Sequence, residues 1–405
     1  MMNNIENKEH GGINVLSLFD GMSCGQIALN KLGIKVNHYF ASEIDKYAIH
    51  ETTLNFPDTE EIGDVCTVDV EKLPKIDLLI GGSPCQSFSF IGKRVGMQTT
   101  SKEIVDTLDK YLELKKEGFE FAGFSYLFWE YMRILKELRK KNPDILFMLE
   151  NVEMGEKWEK VISKATGING VHINSSLVSA QNRKRIYWSN IKTVKIGFPG
   201  FSESEISVIP QPEDKGLYIK DILEENPDRK YFIKDQVLIN LIKGKIKAVS
   251  DKNGFGFSPH NIHEKSGAIV IGGKMVYDTI NLSIETLRIN SSNINKFILK
   301  RLDKNISVND IDLNMNYISN FFGKERIFTP LERVRLQTVP EWYKWDVSET
   351  EQMKMLGNGW TVDVIVHIFR FLKDNPKIKN KIIIKEKDTK TILRNFAEPI
   401  VNHSV

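Results

Sequence analysis

INVLSLFDGMSCG, residues 13–25, joins a short apolar run to a glycine-bearing turn, and apolar residues then recur at Ile27, Ala28 and Leu32. That order reads as strand, turn and helix. The unit repeats down the chain. HYFASEID is a second strand ending at Glu43, followed by a helix through Tyr47 and His50 and a turn from Asn55 to Pro57. IDLLI (76–80) is a third, fully apolar strand that Gly81-Gly82-Ser83-Pro84 stops. A polar loop then runs to about residue 100, a charged helix to about 117 and a further helix from Tyr126 to Lys141, before the strand ILFMLE closed by Asn151. Strands alternating with helices imply an α/β fold with a parallel sheet covered on both faces. Ligands in such folds sit at the carboxyl ends of the strands. The segments ending at Gly21, Glu43, Cys85 and Glu150 are therefore expected to converge on one edge.

At 405 residues, 41% hydrophobic and 27% charged, the chain has material for two unequal domains. No apolar run is long enough to span a bilayer, and MMNNIENKEHGG lacks the apolar centre of a signal peptide. A cytoplasmic protein, nucleoid-associated if bacterial, with no membrane partner is expected. Cys24, Cys66 and Cys85 have no paired spacing, so free thiols in a reducing compartment are the simplest account. Neither they nor the eight histidines show the close spacing of a metal site.

After Asn190 the pattern changes. Residues 195–325 are rich in Lys, Asn, Ile and Gly with weak alternation, whereas the chain becomes helical again from Thr329, and VDVIVHIFRFL has the look of a segment that packs back on the first domain. The expected limits are 13–194 for the first part of the α/β domain, 195–325 for a smaller β-rich region, 326–372 for the returning part and 373–405 for a charged extension. The net charge of +3 announces no polyanion partner, but residues 230–304 hold 13 Lys or Arg against 6 Asp or Glu. That excess suits phosphate contacts or an ordinary solvated basic face equally.

Cys85 follows an apolar strand and a sharp Gly-Gly-Ser-Pro turn, a position that can present a reactive thiol, although a lone cysteine is more often a small packing residue. Glu150 ends another apolar strand, where partial desolvation suits a carboxyl to holding or donating a proton; a surface carboxylate is the bland alternative. Arg183 and Arg185 lie two apart, so in an extended run both face one side and could fix a planar acceptor or a phosphate by forked hydrogen bonds. The turn from Phe19 to Gly25 is a glycine loop without the GxGxxG pattern. Glu43 stands where a carboxylate accepts from ribose hydroxyls, and Asp64 could accept from an adenine amino group; either could also be a solvated loop acid.

Together the segments are more specific than apart. FDGxxxG, SE, GGSPCQSFS, LENV, QNRKRIYW, TPLERVRLQ and GNGW occur in the order and at roughly the spacing of the motifs of DNA cytosine-5 methyltransferases, and the chain resembles that family over about residues 13–190 and 326–372. SLFDG, ASEID, IGGSPC and LENVEMG look closest to the animal de novo enzymes, while the long region after 190 looks bacterial or phage-like. The resemblance implies a Rossmann-like, S-adenosyl-L-methionine-dependent methyltransferase domain and an irregular target-recognition domain at 195–325. It makes Cys85 the nucleophile that attacks cytosine C6, Glu150 the acid at N3 and the exocyclic amine, Arg185 the arginine that steadies the base near O2, and Arg183 its support. Phe19, Asp20, Gly21 and Gly25 become the cofactor loop, Glu43 the ribose acceptor and Asp64 the adenine contact. Ile44, Pro84, Asn358, Trp360 and Thr361 fall on the cofactor side, and Gln86 to Ser89 begin the loop that closes over DNA.

The implied chemistry needs such a set. Cytosine C5 is a poor nucleophile until a thiolate adds at C6, and the target atom is hidden in the stack until the base is flipped. Double-stranded DNA is the implied partner, bound by a monomer; a restriction endonuclease, if the enzyme has one, would be encoded separately. An RNA cytosine-5 methyltransferase of the same fold and an inactive nucleic-acid-binding relative are the alternatives. The large recognition region and the intact reactive side chains weigh against them, and a generic thiol enzyme leaves the arginines and GNGW unexplained. Residues 97–122 depart from the family as a longer, charged connection that could touch DNA or decorate the surface.

Overall fold

A computed structural model describes residues 11–84, 97–197, 204–234, 236–238, 240–241, 244, 259–269, 279–281 and 325–382. The chain divides into two compact units, the first made of residues up to Asn174, Lys184–Pro212 and Val362 onward, the second of Ser175–Arg183 and Glu213–Thr361.

The first unit is built on a seven-stranded sheet. Its strands are β1 (Ile13–Leu18), β2 (Val36–Ser42), β3 (Glu60–Glu61), β4 (Leu78–Gly82), β5 (Leu146–Val152), β6 (Gly170–Asn174) and β7 (Lys184–Ser189), in the order β3-β2-β1-β4-β5-β7-β6. β1 to β5 run parallel, whereas β7 is antiparallel to both β5 and β6. The all-parallel sheet expected from the strand–helix alternation is thus a mixed one, because the chain returns between β5 and β6 instead of adding at the edge. Helices α1 (Cys24–Lys31), α2 (Lys46–Asn55), α3 (Leu108–Lys116), α4 (Phe128–Lys141) and α5 (Glu156–Thr166) lie between the strands in sequence.

The sequence explains these elements locally. The parallel strands are apolar almost throughout, and Leu16, Leu18, Leu79, Phe147 and Leu149 are fully out of water. On α4, Phe128, Tyr131, Ile134, Leu135 and Leu138 recur at helical spacing and enter the same core, leaving Lys136 and Lys140 outside. α5 stops at Gly167, whose φ of 78° is the left-handed cap glycine tolerates. Gly25 has a different duty, since a Cβ there would stand 2.3 Å from Ile80 Cδ1 and 2.9 Å from Tyr39 Oη, and both side chains would have to shift to admit it.

The small hairpin β8 (Thr193–Ile196) with β9 (Ser204–Ser207) completes the first unit before Pro212. In the second unit β10 (His260–Asn261), β11 (Thr279–Asn281) and β12 (Glu325–Ile327) form a three-stranded sheet, followed by α6 (Pro330–Leu336) and α7 (Glu349–Asn358). α6 opens with Thr329 and Glu332 capping one another's backbone and Pro330 in its first turn. The chain rejoins the first unit at α8 (Val362–Phe369), which packs on α1 and is tied to it by Lys31 and Asp363 at 2.6 Å. The compact units part at 212/213 and 361/362: the β8–β9 hairpin groups with the sheet, and β12 to α7 with the smaller unit. Residues 175–183, the excursion between β6 and β7, also belong to the smaller unit.

Candidate active site

The carboxyl ends of β1 and β2 and the turn after β3 carry the acids singled out in the sequence. Phe19, Gly21 and Ser23 have φ of 58°, 59° and 61°, left-handed values that cost a phenylalanine or a serine energy and that Gly21 accepts freely. The turn they form presents the Gly21 N–H to Glu43 Oε2 at 2.8 Å, while the N–H groups of Ile44 and Asp45 donate to Oε1 at 2.7 and 2.9 Å. Three backbone donors thus fix the Glu43 carboxylate, and the Ile44 side chain beside it is 75% exposed. Ser42 Oγ donates to the Gly63 carbonyl at 2.7 Å, which sets Glu43 and Asp64 side by side, each one residue past that bond. Asp64 is exposed and accepts from Cys66 N–H at the head of a short turn.

Asp20 accepts from Tyr39 Oη at 2.8 Å through one oxygen, and the other is buried without a partner. Desolvation is the main cause that pushes its carboxyl up to about 6, with the nearby Glu43 charge adding to it. Glu61 is pushed up to about 7, first by burial and then by Asp20 and Glu43. An exposed isoleucine next to a fixed carboxylate, backed by an acidic cluster, offers a surface on which a purine riboside could rest.

The ends of β4 and β5 carry the second group of residues. Gly82 stands opposite Glu150 across β4 and β5, and Asn151 Nδ2 donates at 3.1 Å both to the Ser83 carbonyl and to Ser83 Oγ, all buried. This clamp fixes the backbone immediately before Pro84. Cys85, with Gln86 to Ser89, lies outside the described residues. Glu150 is 8% exposed, and its Oε1 stands 3.0 Å from Arg185 Nε; Arg185 opposite Val152 on β7 shares the face of Glu150. The burial expected at the end of β5 is present, and it comes with a cation. Of the other cysteines, Cys24 is buried in α1, and the Cys66 thiol is pushed up to about 11 by burial and by Glu130 and Asp64, which makes it a poor nucleophile.

Arg183 behaves unlike Arg185. It precedes β7, is 3% exposed, and its Nη2 donates to the carbonyls of Gly357 and Gly359 at 3.0 and 2.9 Å. The two arginines are not a pair on one face. Arg183 instead ties the QNRKR segment to GNGW within the second unit. Gln337 does the same from the end of α6, donating to the Leu356 carbonyl and accepting from Thr361 Oγ1, which in turn accepts from Ser175 Oγ. Thr361 and Trp360 are buried and Asn358 is exposed at the end of α7. Gln337 closes TPLERVRLQ and Asn151 lies within LENV, so the signal in the sequence was an amide inside each motif.

The model of the family described as C-5 cytosine-specific DNA methylase matches residues 13–374. The chain belongs to that family. Among its relatives, the type II methyltransferase M1.ScrFI of Lactococcus lactis subsp. cremoris is 28% identical over 89% of this chain and 78% of its own length. M.NlaX of Neisseria lactamica, also a type II methyltransferase, is 26% identical over 89% and 96%. The fold is shared with the methyltransferase EhMeth of Entamoeba histolytica, at a TM-score of 0.55 and 15% identity over 90% of this chain and 98% of that one. The chain is thus a cytosine-5 DNA methyltransferase with the mixed Rossmann-like sheet of its family. Among the described residues no helix is long and apolar enough to cross a membrane.

Proposed function

We propose that this methyltransferase acts on a cytosine flipped from double-stranded DNA, with Cys85 as nucleophile and Glu150 and Arg185 holding the base. The observation that carries the reading is the buried Glu150–Arg185 contact at 3.0 Å, in register with Gly82 and beside the Asn151–Ser83 clamp that leads into Pro84. The Cys85 thiolate adds to C6, forming the S–C bond while electron density moves toward C5 and N3. Glu150 hydrogen-bonds or protonates N3 as that charge develops, and Arg185 keeps the ring in plane with its fork. S-adenosylmethionine, when bound, would supply an electrophilic methyl group: C5 takes it as the methyl–sulfonium bond breaks, and the electron pair stays on the sulfur of the departing S-adenosylhomocysteine. Loss of the C5 proton to a base or water then lets the Cys85 sulfur leave with its electron pair. Glu43 and Ile44 would hold the ribose and purine, Asp64 the exocyclic amine, and Phe19, Asp20, Gly21 and Pro84 the rest of the first unit's cofactor side. Asn358, Trp360 and Thr361 keep the cofactor-side duty that the GNGW resemblance gives them, and residues 195–325 the reading of the target.

DNA containing 5-fluorocytosine tests this directly, because fluorine cannot leave as a proton does. With cofactor present, a denaturation-resistant protein–DNA adduct is expected from the wild-type enzyme and none from C85A, which should still bind cofactor. An adduct formed by C85A, or turnover by that variant, would rule out Cys85 as the nucleophile.

A further inference from the structure

The charged connection at 97–122, which departs from the family pattern, carries six acidic residues and four lysines, a balance opposed to phosphate contact. Its helix α3 instead points two side chains at one buried acid. Tyr111 Oη and Lys115 Nζ both donate to Glu130 Oε1 at 2.5 Å. Glu130, on α4, is fully out of water, and its other oxygen accepts from Arg133 Nε at 2.7 Å. A buried carboxylate is tolerable only with such partners, so the three contacts fix one another. Beyond Nε, the Arg133 guanidinium donates to the carbonyls of Val65 and Val68 at 3.2 Å. Those carbonyls bracket the short turn headed by Asp64. We infer that Tyr111, Lys115, Glu130 and Arg133 form a brace by which the extra helix positions Asp64 for the cofactor's adenine, with Arg133 as the positioning residue. The inference rests on the proposed role of Asp64. It gives the unusual connection a task on the cofactor side of the sheet, away from DNA.

Calorimetric binding of S-adenosylhomocysteine to the full chain reads the brace without turnover. D64A sets the reference, and should weaken binding. R133K keeps the charge but loses the fork, and is expected to weaken binding about 5–30-fold, the consequence of one or two lost charge-assisted hydrogen bonds. Its DNA affinity and its kcat at saturating cofactor should stay within about two-fold of wild type. In the D64A background the same substitution should cost less than about three-fold, since the group it positions is gone. Wild-type affinity in R133K, an equal loss of DNA binding, or full additivity with D64A would overturn the inference. Should R133K fail to fold, Y111F serves, because the ring remains against Phe121 and Tyr126 and only the hydroxyl is lost. It should weaken binding about 2–5-fold, and an unchanged affinity overturns the brace equally. If D64A itself binds normally, the adenine role of Asp64 fails; if only D64A weakens binding, the brace alone fails.

Discussion

Asp20, Glu43 and Glu61 gather three acids where the strands β1, β2 and β3 end, and their crowding makes the proposed cofactor site sensitive to pH. Asp20 is raised from 3.8 to about 6 and Glu61 from 4.5 to about 7, each chiefly by desolvation. Between the lower and the upper value the folded chain holds a proton that the unfolded chain has released. These two groups therefore contribute stability that is complete below about pH 4 and is lost as the pH climbs through 6 and 7. The melting temperature of the cofactor-free enzyme should fall across that window, and E61Q should flatten the fall. Ionised above about pH 7, the same acids favour a cation. The affinity ratio of S-adenosylmethionine, whose sulfonium is charged, over S-adenosylhomocysteine, whose sulfur is not, should rise from pH 6 to 7.5 in the wild type and less in E61Q. A flat ratio in the wild type would show that the cluster does not face the cofactor. Glu43 was legible as a candidate ligand because it follows an apolar run and falls in the SE motif, and Asp64 only by its place about twenty residues further on. The coupling of Asp20 to Tyr39 and Glu61 was not, since those partners come from other strands and only the folded sheet brings them together.

At the scale of elements, the strand β7 and the turn before it separate two arginines that the sequence spaces alike. Alternate residues share a face only within a strand, and β7 begins at Lys184, so Arg185 keeps to that period and Arg183 does not. Arg183 spends its fork on the carbonyls of Gly357 and Gly359 and is nearly inaccessible, whereas Arg185 lies beside Glu150. Lysine in place of Arg183 cannot span both carbonyls, and the loss of buried charge-assisted hydrogen bonds should lower stability by about 2–4 kcal/mol. R185K keeps a charge beside Glu150 and loses only the fork, so it should cost less stability than R183K, about 1–2 kcal/mol, while slowing methyl transfer. Urea denaturation and single-turnover kinetics on both variants make the comparison. If R183K proved as stable as wild type and R185K did not, the two duties would have to be exchanged. The order of strands and helices up to β5 was readable from apolar runs and glycine turns except for β3, whose Glu60-Glu61 carries no apolar signal. The antiparallel return of β7 was not, because an apolar run such as Ile186-Tyr187-Trp188 fits a central strand in either direction.

For the whole molecule, the way the chain crosses between its two units decides how the proposed recognition segment can be exchanged. Composition changes near residue 195, but composition does not report which side of a boundary packs with which. The β8–β9 hairpin at 193–207 belongs to the first unit, where Asn169 Oδ1 accepts from the Ser207 N–H at 2.8 Å. At the other end, β12 and α6 are tied to the beginning of the second unit. Glu332 holds Arg326 by two contacts and accepts from the Glu224 N–H at 2.9 Å, and Arg335 donates to the carbonyls of Ile222 and Leu223. An exchange at 195–325 with an enzyme of known target would cut the hairpin and replace Ile222 to Glu224 while leaving Glu332 and Arg335 in place. It would remove backbone partners of a buried acid and of a half-buried arginine, a loss of about 1 kcal/mol for each hydrogen bond that the donor segment does not restore. An exchange at 226–324 keeps all of these contacts and carries the basic stretch from Lys230 to Lys304. The 226–324 chimera should therefore be recovered folded and methylate the donor's sequence, read by bisulfite mapping of DNA from cells that express it, and the 195–325 chimera should be recovered in lower yield with a lower melting temperature. A folded, active 226–324 chimera that kept the original target would remove target reading from this segment, and equal stability of the two chimeras would remove the ties between Glu332, Arg335 and residues 222–224 from the forces that hold the second unit together.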